Sequence, residues 1–456
     1  MEGNTSSGSA MTGPRRASCL DALIVALNET CDGKRWYTST TELQLASLEF
    51  CIVCRNHQTL HLKVDAQIPP RLMIAADAPP PHVKRLCSTR VPRLKARCVT
   101  WNMPTADTLK IPIFAMANVN WLKFGRAFEG SVEAVAWPLR LKTIEFYVGA
   151  PFNQPIDLVR WPALLQRLVL GGRFDQRIEG VSWPDRLQTL DFGTRFNQPI
   201  EQVSWPDSLQ EVIFGHSFDQ PIEEVSWPDS LQLIEFGHPF NQPIEGVVWP
   251  ASLKRVTFYI DSLFNQPIEN AAWPMSLQQL YFGQYMDHPI QRVVWPESLQ
   301  QLIFVGYFDH PIQGVVWPNS LQRLDFGSNF NQPIDNVRWP PSLLELSFGW
   351  GEDREDNRMV MFSTFDQPID RSVWPASLRR LTLGDEFRQS LHGLGTWIPN
   401  LEEFRLLHYG PGGDSLLRGI EWPKGLRELT VFEEWSLDGV VIPSTVEIYR
   451  PGLESL

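Results

Sequence analysis

Apolar residues return along this chain at one spacing from about residue 110 to about residue 450. The stretch beginning at Trp205 reads WPDSLQEVIFGHSFDQPIEEV, and the stretch beginning at Trp227 reads WPDSLQLIEFGHPFNQPIEGV. Both fit the frame W-P-x-S-L-Q-x-L-x-F-G-x-x-F-[ND]-Q-P-I-x-x-V, with Val212 and Ile234 at its second Leu position. Trp-Pro marks the period, with Trp at 137, 161, 183, 205, 227, 249, 273, 295, 317, 339, 374 and 422. The gaps are 24, 22, 22, 22, 22, 24, 22, 22, 22, 35 and 48. The gaps of 24 come from two extra residues, at Phe146–Phe152 and Phe258–Phe264. The gap of 35 is one unit plus a 13-residue insertion after Gly349, and the gap of 48 hides a unit in which Ile398-Pro399 replaces Trp-Pro. Ile442-Pro443 continues the series, and Ile111-Pro112, Val91-Pro92 and Ile68-Pro69 look like degenerate forms before it. A fixed period of about 20–50 residues is the signature of a solenoid or propeller.

A unit of 22 residues is too short for a propeller blade or a helix-pair repeat, which need about 33–50 residues. It fits one turn of a leucine-rich-repeat-like coil. The segment L-x-x-L-x-F alternates at its end as a strand does. The Gly after Phe ends the strand in a turn, and the prolines of W-P and Q-P-I exclude a regular helix from the return path. The predicted architecture is a right-handed solenoid with a parallel β-sheet on one face. Leu209, Val212, Phe214, Phe218, Ile222, Val225 and Trp227 point inward in one coil, and their equivalents stack on neighbouring coils. Each coil cannot bury its own apolar face, so nearest-neighbour interfaces carry the stability.

The residues between the inward ones form two outward columns. One runs Arg167, Thr189, Glu211, Leu233, Arg255, Gln279, Gln301, Arg323, Glu345; the other runs Val169, Asp191, Ile213, Glu235, Thr257, Tyr281, Ile303, Asp325, Ser347. Inward positions barely change, whereas these mix charged, apolar and aromatic types. Packing fixes the first set and leaves the second free to drift or to bind. As a binding surface, Ile213, Leu233, Tyr281 and Ile303 are the apolar anchors, with Glu211, Glu235 and Arg255 orienting a partner.

One position alternates between two residue types: Asn153, Asp175, Asn197, Asp219, Asn241, Asn265, Asp287, Asp309, Asn331 and Asp366. Both types place an acceptor oxygen at one distance from the backbone, which suits a ladder that caps free N–H groups. A calcium ladder is the alternative, against which the neutral Asn half counts.

F-N-Q-P-I at Phe152, Phe196, Phe240, Phe264 and Phe330, with F-D-Q-P-I at Phe218 and Phe365, resembles the FNIP repeat family, itself related to leucine-rich repeats. Trp-Pro stands where the family has Leu-Pro, which suggests a divergent branch. The resemblance covers roughly residues 110–450 and implies a protein-interaction solenoid and no known chemistry. Some family members carry an N-terminal F-box, a helical module that docks onto a ubiquitin-ligase core. Ser47–Leu60 resembles the latter part of an F-box, but the Leu-Pro opening is absent.

The N-terminal region is organised differently. Residues 1–17 are small and polar, the composition of a disordered tail. Residues 18–66 suggest a small, partly helical cap for the open end of the solenoid or a degenerate F-box; Leu43–Leu62 reads as a helix, or a helix followed by a strand. The solenoid is then 67–456, with 350–362 (WGEDREDNRMVMF) projecting from it as a binding loop or a merely tolerated one. All six cysteines, Cys19, Cys31, Cys51, Cys54, Cys87 and Cys98, lie in the first 98 residues. That distribution fits a reducing compartment, the cytoplasm, better than a disulfide scaffold. Cys51 and Cys54 with His57 and His61 could form a zinc half-site or a redox pair, but bulky apolar neighbours favour buried structural thiols.

Lys and Arg number 40 against 52 Asp and Glu, a net charge of -12. This argues against nucleic acid, which usually needs a basic stripe. No apolar run approaches the roughly 20 residues of a membrane span, and no signal peptide is evident. The phosphate-loop, dinucleotide, zinc-protease and nucleophile-elbow motifs are all absent. His216/His238 and His288/His310 each recur one repeat apart, and such stacked pairs could bind metal. In the second pair, however, His simply replaces the repeat Gln. The expectation is a non-enzymatic cytoplasmic scaffold without cofactor or metal that binds a protein partner on its sheet face. The alternatives are a ubiquitin-ligase substrate adaptor and a carbohydrate-active solenoid using two carboxylates.

Overall fold

The computed structural model describes residues 119–349, 363–408, 413–432 and 434–450, together with the backbone of the strands Glu49–Arg55, Thr59–Asp65 and Ala96–Trp101. The expected tail 1–17, all of 18–48 and the insertion 350–362 lie outside the described residues, as does His57.

Within 18–66 the described parts, Glu49–Arg55 and Thr59–Asp65, are strands; the helical part expected before them falls outside the described residues. Glu49–Arg55 and Thr59–Asp65 pair as an antiparallel hairpin. The reason is visible in the second strand: Leu60, Leu62 and Val64 alternate with His61, Lys63 and Asp65, a period of two that a helix cannot use. From Thr59–Asp65 onward every strand pairs in parallel with the next, ending at Glu447–Tyr449. The described strands form one 18-stranded sheet.

Between strands the chain returns through hydrogen-bonded turns rather than helix. In P-x-S-L the Leu N–H donates back to the Pro carbonyl, as Leu209 does to Pro206 at 3.0 Å. In I-x-x-V, Val203 donates to Ile200 at 3.2 Å. Proline presets the first turn by fixing its own φ. Helical structure among the described residues is limited to Leu394–Trp397 and the 3-10 turn Gly413–Leu417. The first of these lies just before Ile398-Pro399, where the repeat loses its Trp.

The inward columns form a continuous core. Leu209, Val212, Phe214, Phe218, Ile222, Val225 and Trp227 are all buried. Turn phenylalanines stack face to face from coil to coil, Phe174 on Phe196 and Phe196 on Phe218, each at 6.1 Å. The tryptophans form a second stack, with Trp205 and Trp227 6.0 Å apart. Glycine after the strand is required by closeness: a Cβ at Gly215 would fall 1.1 Å from the Gly193 carbonyl oxygen. Gly193 itself has φ +73°, a left-handed conformation that other residues rarely adopt.

Two polar ladders run parallel to this core. The Asn153 Oδ1 accepts the backbone N–H of Asp175 at 2.9 Å and the Gln176 side-chain amide at 3.0 Å. The same double acceptance recurs from Asp175 to Asn197 and Gln198, and from Asp219 to Asn241 and Gln242. Because each step uses one side-chain oxygen, Asn and Asp serve equally. The second ladder is made by the serine of W-P-x-S-L: Ser230 donates to the Leu209 carbonyl and Ser252 to that of Leu231.

Candidate interaction surface on the sheet

The coils fan apart away from the sheet. Adjacent strands lie about 4.8 Å apart. The strand phenylalanines from Phe192 to Phe304 are 5.3–5.9 Å apart. The turn phenylalanines from Phe152 to Phe264, farther from the sheet, are 6.0–6.2 Å apart. Over these coils the spacing widens with distance from the strands, which puts the sheet on the concave side there.

Strand pairing reproduces both outward columns. Glu211, Leu233, Arg255, Gln279 and Gln301 are successive partners in one. Asp191, Ile213, Glu235, Thr257, Tyr281 and Ile303 are successive partners in the other. Glu211, Ile213, Leu233, Glu235 and Tyr281 are half-buried and Arg255 is exposed. The Tyr281 hydroxyl donates to Gln301 Oε1 at 2.5 Å, and the Arg255 guanidinium lies 5.8 Å from the Tyr281 ring centre.

Ile303 departs from the expected anchor role, being only 4% exposed. Its column neighbours are Tyr281 and Asp325, and on a concave face flanking side chains converge. The same crowding leaves Asp325, Thr382 and Thr430 buried on this face.

Charge is distributed unevenly along the face. In its C-terminal half, Arg and Glu of successive coils pair. Arg323 meets Glu345 at 3.8 Å, Arg380 bridges Glu345 and Glu403, the latter at 2.9 Å, and Arg405 lies 3.9 Å from Glu428. The stretch Asp191–Glu235 has no such closure. Thr189 donates to Glu211 at 3.0 Å, and Asp191 Oδ1 accepts the Gly193 N–H at 2.9 Å. Burial pushes the Asp191 carboxyl above its ordinary value, opposed by that hydrogen bond and by Arg167. Burial also raises the Glu235 carboxyl, and Asp191 adds to the rise while Arg255 opposes it.

The histidine pairs take two different forms. His288 and His310 each reach a backbone carbonyl of the preceding coil, of Asn265 and Asp287, both at 3.1 Å, as the repeat Gln does elsewhere. His216 and His238 stack at 4.9 Å, and His238 lies 4.0 Å from Asp261. Among the described residues no group of three or more His, Cys, Asp or Glu is placed to hold a metal ion. Nor is any helix among them long and apolar enough to cross a membrane. Cys51 and Cys54 lie within the first strand of the hairpin.

The serine ladder and the ion ladder were not anticipated. The second had a signal in the sequence: Arg323, Glu345, Arg380 and Glu403 alternate in sign at equivalent positions of successive coils.

The family model described as FNIP repeat matches five times, at residues 174–217, 196–238, 218–261, 264–306 and 308–350. No curated protein matches the chain. Among solved structures, CroV588, described as a novel circular leucine-rich-repeat protein, is 27% identical with a TM-score of 0.56, over 78% of this chain and 59% of that one. The chain thus spans less than two thirds of that relative. An internalin of Listeria monocytogenes is 12% identical over 68% of this chain and 81% of its own, TM-score 0.40. TLR13 in complex with ssRNA13 is 10% identical over 74% of this chain and 54% of its own, TM-score 0.45. Residues 174–350 match FNIP repeats, and they form part of a longer leucine-rich-repeat-like solenoid.

Proposed function

We propose that this protein is a non-enzymatic interaction scaffold that holds a protein partner against the concave face of its sheet. One observation carries the reading. The repeated packing of the coils is supplied by the inward columns and the Asn/Asp and serine ladders, while the outward columns from Asp191 to Tyr281 present a varied surface of charged, aliphatic and aromatic side chains on the concave side. A solenoid offers such an extended curved face to partners. The anchors are Ile213, Leu233 and Tyr281, with Glu211, Glu235 and Arg255 at their borders; Ile303, on the same face, is covered between Tyr281 and Asp325 and offers little area to a partner. The coils around Asp191 and Glu235 keep the regular period, whereas a catalytic pair would favour an irregular cluster. The segment compared with an F-box holds a β-hairpin where that module would be helical. The grouping of all six cysteines before residue 99 supports a reducing, cytoplasmic setting.

Affinity purification from the cells that make the protein, read by mass spectrometry, tests the reading. Leu233→Ala with Tyr281→Ala should deplete the captured partners about tenfold or more, the effect expected of central anchors, with the circular dichroism spectrum unchanged. Full capture by that variant would place the interaction elsewhere on the molecule.

A further inference from the structure

The two halves of the sheet face are not electrically equivalent. From Arg323 to Glu428 the outward charges close on one another across successive coils. At the other end, Lys123 closes on Glu145 at 3.1 Å. Between these closed stretches lies a block of three coils whose outward pairs are Thr189 with Asp191, Glu211 with Ile213, and Leu233 with Glu235. Three carboxylates surround two aliphatic side chains in a checkered pattern, and none of the three carboxylates forms an ion pair among the described residues. Arg167 and Arg255 border the block and act on Asp191 and Glu235 only as neighbouring charges.

We propose that this block, Asp191 to Glu235, docks a basic segment of the partner protein in which lysine or arginine alternates with aliphatic residues. The proposal rests on the sheet-face reading above and specifies the chemistry of what that face receives. Ile213 and Leu233 supply apolar contact, and the carboxylates on either side supply matching sites for cations. A partly buried carboxylate that lacks a counter-charge gains most from an incoming cation, because the water that would screen it is already reduced. The paired half of the face has no such gain to offer, since a new cation there must displace an existing one. Burial is the main cause that raises the carboxyls of Asp191 and Glu235, with Arg167 and Arg255 opposing it, so both are partly withdrawn from the water that would otherwise screen them. A second copy of this chain is disfavoured as occupant by charge, because the chain carries a net -12.

The test compares charge at the block with equal charge elsewhere. The probe is a fluorescein-labelled peptide of alternating lysine and leucine, with a glutamate–leucine peptide as control, and binding is read by anisotropy. Asp191→Asn with Glu235→Gln keeps shape and the hydrogen-bond acceptor of Asp191 while removing two charges. Glu223→Gln with Glu224→Gln removes two exposed charges away from the sheet. The lysine–leucine peptide should bind wild type, lose about tenfold or more in affinity for the first variant, and bind the second as it binds wild type. Equal weakening in both variants, or in neither, overturns the proposal. Equal binding of the glutamate–leucine peptide overturns it as well.

Running the Asp191/Glu235 variant beside Leu233→Ala/Tyr281→Ala in the affinity purification separates the two readings. If the alanine variant loses partners and the charge variant keeps them all, the face binds but not through basic chemistry. If both keep them all, the face itself is not the site.

Discussion

At the scale of single residues, the tryptophan of Trp-Pro shows how one side chain serves several contacts. Trp227 is 9% exposed, stacks on Trp205 at 6.0 Å and meets the edge of Phe214 at 6.2 Å and 68°. Trp227→Ala removes a large group from between coils and should cost about 3–5 kcal/mol, seen as a clear fall in melting temperature. Its indole N–H is buried and has no acceptor among the described residues, so Trp227→Phe should cost markedly less than the alanine change. An unchanged melting temperature in Trp227→Ala would contradict the packing described. Asp191 and Glu235 give a second test at this scale. A carboxyl whose pKa rises on folding holds its proton more firmly in the folded chain. Its contribution therefore favours folding below the unfolded value and is lost as pH rises through the folded one. The window opens at 3.8 for Asp191 and 4.5 for Glu235 and extends upward. Across it, Asp191→Asn/Glu235→Gln should gain melting temperature relative to wild type as pH increases. A difference independent of pH would show that neither carboxyl is shifted.

At the scale of the element, a coil is held to the next by hydrogen bonds that sheet pairing does not provide. The Asn241 Oδ1 accepts the Asn265 N–H at 2.8 Å and the Gln266 amide at 3.1 Å. Asn241→Ala strands both donors and should cost about 1–3 kcal/mol. Asn241→Asp keeps the oxygen and should melt near wild type. If aspartate proves as damaging as alanine, charge rather than acceptor geometry governs the position. This element was legible in advance because it repeats: spacing alone aligned the strand, the turns, the inward columns and the Asn/Asp ladder. The serine ladder was just as regular, but a serine in a turn has several local partners, and sequence does not reveal that it reaches the Leu carbonyl of the preceding coil. The hairpin Glu49–Asp65 was obscured because its first strand, EFCIVCR, has no clean alternation to tell it from a helix. Its second strand carried the clearer signal.

For the whole molecule, curvature is what the repeat frame leaves out. Alternation placed Ile303 on the outward face, and register agrees, yet concavity buries it between Tyr281 and Asp325. The other proposed anchors lie where the alternation put them, because they occupy coils whose flanking side chains leave room. Curvature is set by the mismatch between strand spacing and the wider stacking of rings behind it, a sum over many coils that no single coil displays. A solenoid whose coils touch only their neighbours should also tolerate local change at one edge. The ends of the 350–362 insertion test this. The Ser363 hydroxyl donates to the Phe348 carbonyl at 2.6 Å, and a Cβ at Gly349 would lie 2.8 Å from that of Ser363. Chain ends already this close need little rearrangement to be joined, and a loop of that length adds only a small closure entropy. Leu346 and Leu381 are already paired across the insertion, as are Phe348 and Leu383. Deleting 350–362 should therefore restore a coil of ordinary length, leave the circular dichroism spectrum unchanged and keep the melting temperature within about 2 °C of wild type. A deletion variant that unfolds would show instead that the segment packs against the core and that the coil between Phe348 and Phe365 depends on it.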